Sequence, residues 1–218
     1  MDGAKAQAKI WRGYGKAALR LGTSFSVYRA TNWINPIQAL NLRTTILASF
    51  TPSSTDQFGY GKSLKPEDYL RNGLFDATDL LPRDILKGDK GTFYIAALEP
   101  LLPPTCVRCD RTISLRRQAA QTPQIGEAPY GGVSIAGETA LASGVPAAIL
   151  KASASTRPKG LLPSDAPGPT GFQIFVPLPK GAVRDRDVIA DDEGYRYHVS
   201  DAQWTLNGYR LEAIRLQA

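Results

Sequence analysis

A near-repeat at fixed spacing constrains this chain more than any other feature. Asp84-Ile85-Leu86, followed by Asp89-Lys90-Gly91 and Tyr94, returns as Asp187-Val188-Ile189, then Asp192-Glu193-Gly194 and Tyr197. Asp84 and Asp187, Gly91 and Gly194, and Tyr94 and Tyr197 each stand 103 positions apart. At the same spacing Ile46-Leu47 falls on Ile149-Leu150 without a gap. The recurrence implies two copies of one small β module, each with a hairpin whose glycine suits a turn of positive φ. A doubled β module without an evident catalytic centre points to an assembly part more than to an enzyme.

The size of the chain agrees with a duplication. Its 218 residues divide into two modules of about 100, each large enough to bury its own core. Sixteen prolines and twenty glycines imply many turns, which favours β structure over helical bundles. No apolar run approaches the roughly 18 residues that cross a bilayer, so no transmembrane helix is expected. The opening Met1-Asp2-Gly3-Ala4-Lys5 lacks the apolar stretch of a secretory signal, and two cysteines make no disulfide framework, so synthesis in a reducing cytoplasm is expected. The net charge of +6 permits contact with an acidic surface or nucleic acid and diagnoses neither.

Residues 4–22 read as a helix. Lys5, Lys9, Arg12, Lys16 and Arg20 recur at helical spacing, and Ile10, Tyr14, Ala17 and Leu21 form a separate apolar stripe. Gly13 and Gly15 each cost about 1 kcal/mol relative to alanine, so this helix needs a partner for its apolar side. Two readings stay open: a solvated basic face on a terminal helix, or an arm that grips a neighbouring subunit. Strands are expected at 43–50, 112–115, 172–178 and 209–214, with a short strand or helix at 69–75. Hairpins are expected at 84–98 and 187–199. Glycines and prolines dominate 116–145, which reads as an extended linker. The expected fold is mainly β: two small barrel-like or sandwich-like modules, 26–115 and 146–218, joined by that linker and preceded by a helical arm at 1–25.

The motifs that suggest chemistry are incomplete. Gly59-Tyr60-Gly61-Lys62-Ser63 ends like a phosphate-binding loop, but Asp56 stands where glycine is needed and Pro66 would break the helix. Gly132-Val133-Ser134-Ile135-Ala136-Gly137 has one residue too many for a nucleophile elbow. His198, the one histidine, is expected where the first copy has Ile95, a packing position. Cys106 and Cys109 have half the spacing of a zinc site without a second pair; free thiols, a redox pair and a zinc shared between subunits stay open. Asp187, Asp191, Asp192 and Glu193 gather at a turn without the order of a calcium loop. No catalytic, cofactor or metal residues are expected.

Two segments resemble a known family. The run from Gly91 through Tyr94, Glu99-Pro100 and Pro103-Pro104, and the opening Lys9-Ile10-Trp11-Arg12-Gly13-Tyr14, are similar to segments of tail-module proteins of tailed bacteriophages, in particular the ripcord components of contractile-tail baseplates. The resemblance implies a non-enzymatic virion protein, made in the host cytoplasm, that joins tail tube and sheath to the baseplate hub. It implies contacts with tube, sheath, hub and wedge proteins, and assembly as a hexamer or as a trimer with pseudo-sixfold symmetry. No membrane or specific nucleic acid is expected as a partner. Lys9, Ile10, Trp11, Arg12 and Tyr14 are the expected subunit contacts, and Phe93, Tyr94, Tyr195 and Tyr197 the expected module cores. The alternatives are a head-to-tail connector or stopper and, from another class, a small hydrolase or metal-dependent enzyme using His198 with Asp187 or Asp201.

Overall fold

The structure is a computed structural model that describes residues 3–52, 69–118, 137–151 and 171–216. It opens with α1 (Gly3–Leu21). The first barrel follows as β1 (Thr23–Tyr28), β2 (Leu42–Pro52), β3 (Leu70–Leu74), β4 (Ile85–Gly88), β5 (Gly91–Ala97) and β6 (Thr105–Cys109). The second consists of β7 (Arg111–Gln118), β8 (Glu138–Lys151), β9 (Gly171–Val176), β10 (Val188–Asp191), β11 (Arg196–Thr205) and β12 (Gly208–Arg215).

Both sheets close on themselves. The first runs β1-β2-β3-β6-β5-β4 and the second β7-β8-β9-β12-β11-β10, with antiparallel pairing throughout the named strands. The strand order is the same when the second barrel is counted from β7. The chain is therefore duplicated in topology as well as in its hairpins, and closure leaves neither sheet an open edge.

Three expectations change. The modules meet at Asp110, the single residue between β6 and β7. The expected linker 116–145 is consequently divided: 116–118 and 138–145 are strand residues of the second barrel, while 119–136 lie outside the described residues. The strand read at 112–115 belongs to the second module, not the first.

The spacing of 103 is also local. Ile85 pairs with Tyr94 in the first hairpin, but Val188 pairs with His198 in the second. The first turn holds Asp89 and Lys90 between the paired Gly88 and Gly91. The second holds Asp192, Glu193 and Gly194 between Asp191 and Tyr195, closed by the Asp191 N–H to the Tyr195 carbonyl at 2.9 Å. This extra residue makes Tyr197 the counterpart of Phe93 and His198 the counterpart of Tyr94, not of Ile95. Gly194, at φ 86°, takes the left-handed conformation that the longer turn needs. On the long strands the drift is greater. Phe25 pairs with Ile46, and its counterpart Ile113 pairs with Val145. Val145-Pro146 thus stands for Ile46-Leu47, and the apparent match with Ile149-Leu150 is four residues out of register.

Alternation fills each barrel. Phe25, Val27, Leu86, Phe93, Ile95 and Cys106 form the first interior, where Phe50 stacks on Phe93 at 3.9 Å between ring centres. Ile113, Leu115, Val145, Ile174, Ile189, Tyr197, Val199 and Leu211 form the second. Each large apolar side chain removed from water contributes about 1.5–3 kcal/mol. Phe93 and Tyr197 are core residues as expected. Tyr195 is not: it is 38% exposed, with the Arg215 guanidinium 3.4 Å from its ring centre. Tyr94 is fully buried, but between the barrels and not inside one.

Candidate functional site

Two part-buried ion pairs mark equivalent positions in the duplication. Arg29 donates from Nε to Asp84 Oδ1 at 2.8 Å and from a terminal nitrogen to Oδ2 at 2.7 Å, and the same nitrogen reaches the Asp79 carbonyl at 2.9 Å. Arg117 repeats the pattern on Asp187, at 2.7 and 2.8 Å, and on the Ala182 carbonyl at 3.0 Å. The Leu81 and Arg184 N–H groups complete the sets at 2.9 and 2.8 Å. Both aspartate side chains are 2% exposed. The hydrogen bonds to aspartate hold the Arg29 and Arg117 pKa values above the ordinary arginine value. Such bidentate geometry is specific to the planar guanidinium. Each pair ties the end of a barrel's first strand to the loop before its hairpin. In those loops Arg83 and Arg186 adopt left-handed φ values of 75° and 71°.

The barrels are joined front to back. The outer side of β4, β5 and β6 supplies Ile85, Tyr94, Ala96, Val107 and Cys109 to a buried cluster. The second barrel supplies Ala148 of β8 and Phe175 of β9, and Tyr69 stacks on Phe175 at 4.2 Å. The Tyr94 hydroxyl donates to the Asn207 carbonyl at 3.3 Å, and Arg83 lies over Trp204, so the β11–β12 turn also reaches the first barrel. The β1–β2 connection crosses the other way. Asn35 N–H bonds the Ser143 carbonyl at 2.8 Å, and Ser143 N–H bonds the Trp33 carbonyl at 3.0 Å. Gly144 is required there: it sits at φ 66°, and a Cβ would stand 2.8 Å from Asn35 Oδ1.

The same face is not used twice. The seam joins β4-β5-β6 of one module to β8-β9 of the other, which correspond to β2-β3 of the first. The second module's copy of the seam face carries Val188, His198 and Ile214, the counterparts of Ile85, Tyr94 and Val107. The first module's β2 and β3 are the strands against which α1 lies.

On α1, the cationic stripe Lys5, Lys9, Arg12, Lys16 and Arg20 is exposed. Ile10, Trp11 and Tyr14 are partly buried. Trp11 packs on the first barrel's own core, and its indole N–H is buried without a hydrogen-bond partner among the described residues. Gln7 Oε1 accepts from Leu101 N–H at 2.6 Å. The helix therefore docks on its own chain and leaves its cations facing outward.

The remaining candidates separate. Cys106 and Cys109 lie three residues apart on β6, so they point to opposite sides of the sheet. Cys106 faces the first interior and Cys109 the seam. Both are buried free thiols, and burial raises both thiol pKa values. A disulfide or a shared ligand pair between these two residues is incompatible with that geometry. Asp187 is occupied by Arg117 and Arg184, and Asp201 is exposed on β11 opposite Glu212. Asp191 accepts from Glu193 N–H, Tyr195 N–H and the Tyr197 hydroxyl at 3.1, 2.8 and 3.0 Å, burial and this bond raising the Tyr197 pKa to about 12. Asp192 and Glu193 face Arg111. Among the described residues, no group of three or more metal-binding side chains converges. Residues 59–63 and 132–136 lie outside the described residues. No family model, curated protein or solved structure matches this chain.

Proposed function

We propose that this chain is a non-enzymatic structural subunit of a phage tail, a ring-forming adaptor between tube or sheath and the baseplate hub. The observation that carries the reading is the front-to-back seam between two barrels of one topology. A face-to-face pairing would satisfy both modules at once. A front-to-back pairing leaves one front and one back unused, the condition for propagation into a ring. The unused front is the His198–Ile214 side of the second barrel. The first barrel's own back, its β2–β3 side, is taken by α1, so a neighbour would meet the exposed Lys9 and Arg12 of that helix there. Three chains would place six barrels in a pseudo-sixfold ring, and six chains would make a sixfold collar. The engagement of Asp187 by Arg117 weighs against the hydrolase reading.

The test is gold-conjugated antibody against this subunit on intact particles of the phage that carries it. Label at the head-distal end of the tail is the expected result. Particles that carry no label, or carry it only at the neck, would overturn the adaptor reading, the second outcome favouring a connector. K9E/R12E should retain the melting transition, since both side chains are exposed, and fail to enter particles.

A further inference from the structure

The two barrels share a topology, yet they end differently at their hairpins. The second is closed there by apolar side chains and by Tyr197 bonded to Asp191. The first has Gly88 at the position of Asp191, as the pairings Phe25–Gly88 and Ile113–Asp191 establish. A cavity of about 280 Å³ opens at this mouth, with Phe25, Phe50 and Phe93 among its walls and Arg71, Lys90 and Arg108 at the same site. Arg108 pairs with the core residue Phe93, and Arg71 with the core residue Cys106, so both arginines stand on the interior side of the sheet. The counterpart of Arg108 in the second barrel is Arg215, which pairs with Tyr197 and lies over the Tyr195 ring, whereas the counterpart of Arg71 is the apolar Phe172.

A closed barrel does not need an inward arginine on its third strand, as Phe172 of the second copy demonstrates. Lys90 and Arg108 are exposed at the rim, and like charges at one mouth repel one another and gain from an anion between them. Among the described residues no carboxylate lines the cavity. Lys90 and Arg108 form no side-chain hydrogen bond or ion pair with any described residue.

We propose that the mouth of the first barrel binds a small organic carboxylate with an apolar body. The hydrocarbon or ring lies against Phe25, Phe50 and Phe93, and the carboxylate meets Lys90 and Arg108, with the buried Arg71 beside them. The cavity is at the small end of the range for ligand pockets, which suits a short acid better than a long lipid. This inference does not depend on the assembly reading.

Calorimetric titration of the full chain with octanoate and, separately, octanol tests it. Octanoate is expected to bind at least about tenfold more tightly than octanol, and added salt should weaken octanoate binding alone. K90Q/R108Q, with an unchanged melting transition, is expected to remove that preference. Equal binding of acid and alcohol, no binding of octanoate, or a preference that survives in K90Q/R108Q would each overturn the proposal.

Discussion

Arg29 and Arg117 do more to define each module than any aromatic residue, because each joins strand, loop and hairpin through one side chain. Removing one partner leaves the other charge in place and poorly hydrated, so the loss exceeds what the pair contributes over an apolar replacement. Arg117→Ala should therefore destabilise the protein by about 2–3 kcal/mol, below the full cost of breaking a buried pair, because Asp187 is 2% exposed beside an arginine that is itself 29% exposed. Arg117→Lys should restore little, since an ammonium cannot span both carboxylate oxygens while also reaching the Ala182 carbonyl. Urea unfolding of the two variants checks this. A loss below about 1 kcal/mol for Arg117→Ala, the range of exposed pairs, would show that the site is effectively solvated.

At the scale of elements, the hairpins were legible because their acidic, glycine and aromatic positions lie within a dozen residues of one another. Registry was less so. One residue added in the second turn moves His198 into line with Tyr94, and counting at 103 passes over it. Closure of the barrel sets the β2 and β8 registers through partners far away in sequence, which is why Ile149-Leu150 looked equivalent to Ile46-Leu47. The arginine clamps were hidden for a related reason: their aspartates are 103 apart, whereas Arg29 and Arg117 are 88 apart. The cationic mouth is not legible in the sequence because a lone Arg108 on a short strand does not reveal which way it points until Phe93 is placed opposite. Strand alternation also decides the chemistry of β6, whose thiols occupy opposite sides. With both pKa values raised, the thiolate is scarce at pH 8, and burial blocks its approach to a reagent. Ellman's reagent should find both cysteines unreactive in the native protein and both reactive in guanidinium. Rapid native labelling of either would contradict the packing described for β6.

At the scale of the molecule, a single residue between the barrels and a buried seam argue that two duplicated modules behave as one. The tether leaves little freedom to lose on docking, while Tyr94, Ile85, Val107 and Phe175 leave water only if the modules are together. Neither barrel can unfold without exposing part of the other, so wild-type protein should melt in one calorimetric transition, with equal calorimetric and van't Hoff enthalpies. Phe175 is the residue on which this depends most, being stacked on Tyr69 and belonging to the second barrel while facing the first. Phe175→Ala removes a ring from the seam and should lower stability by about 3 kcal/mol, the low end for a buried phenylalanine. More tellingly, it should separate the melt into two transitions, because the interior clusters of both barrels are untouched. Two transitions already present in the wild type would mean that the seam is too weak to couple the modules. A single, unshifted transition in Phe175→Ala would mean that the coupling resides elsewhere, in the crossing of 33–35 onto Ser143 or in the reach of the β11–β12 turn.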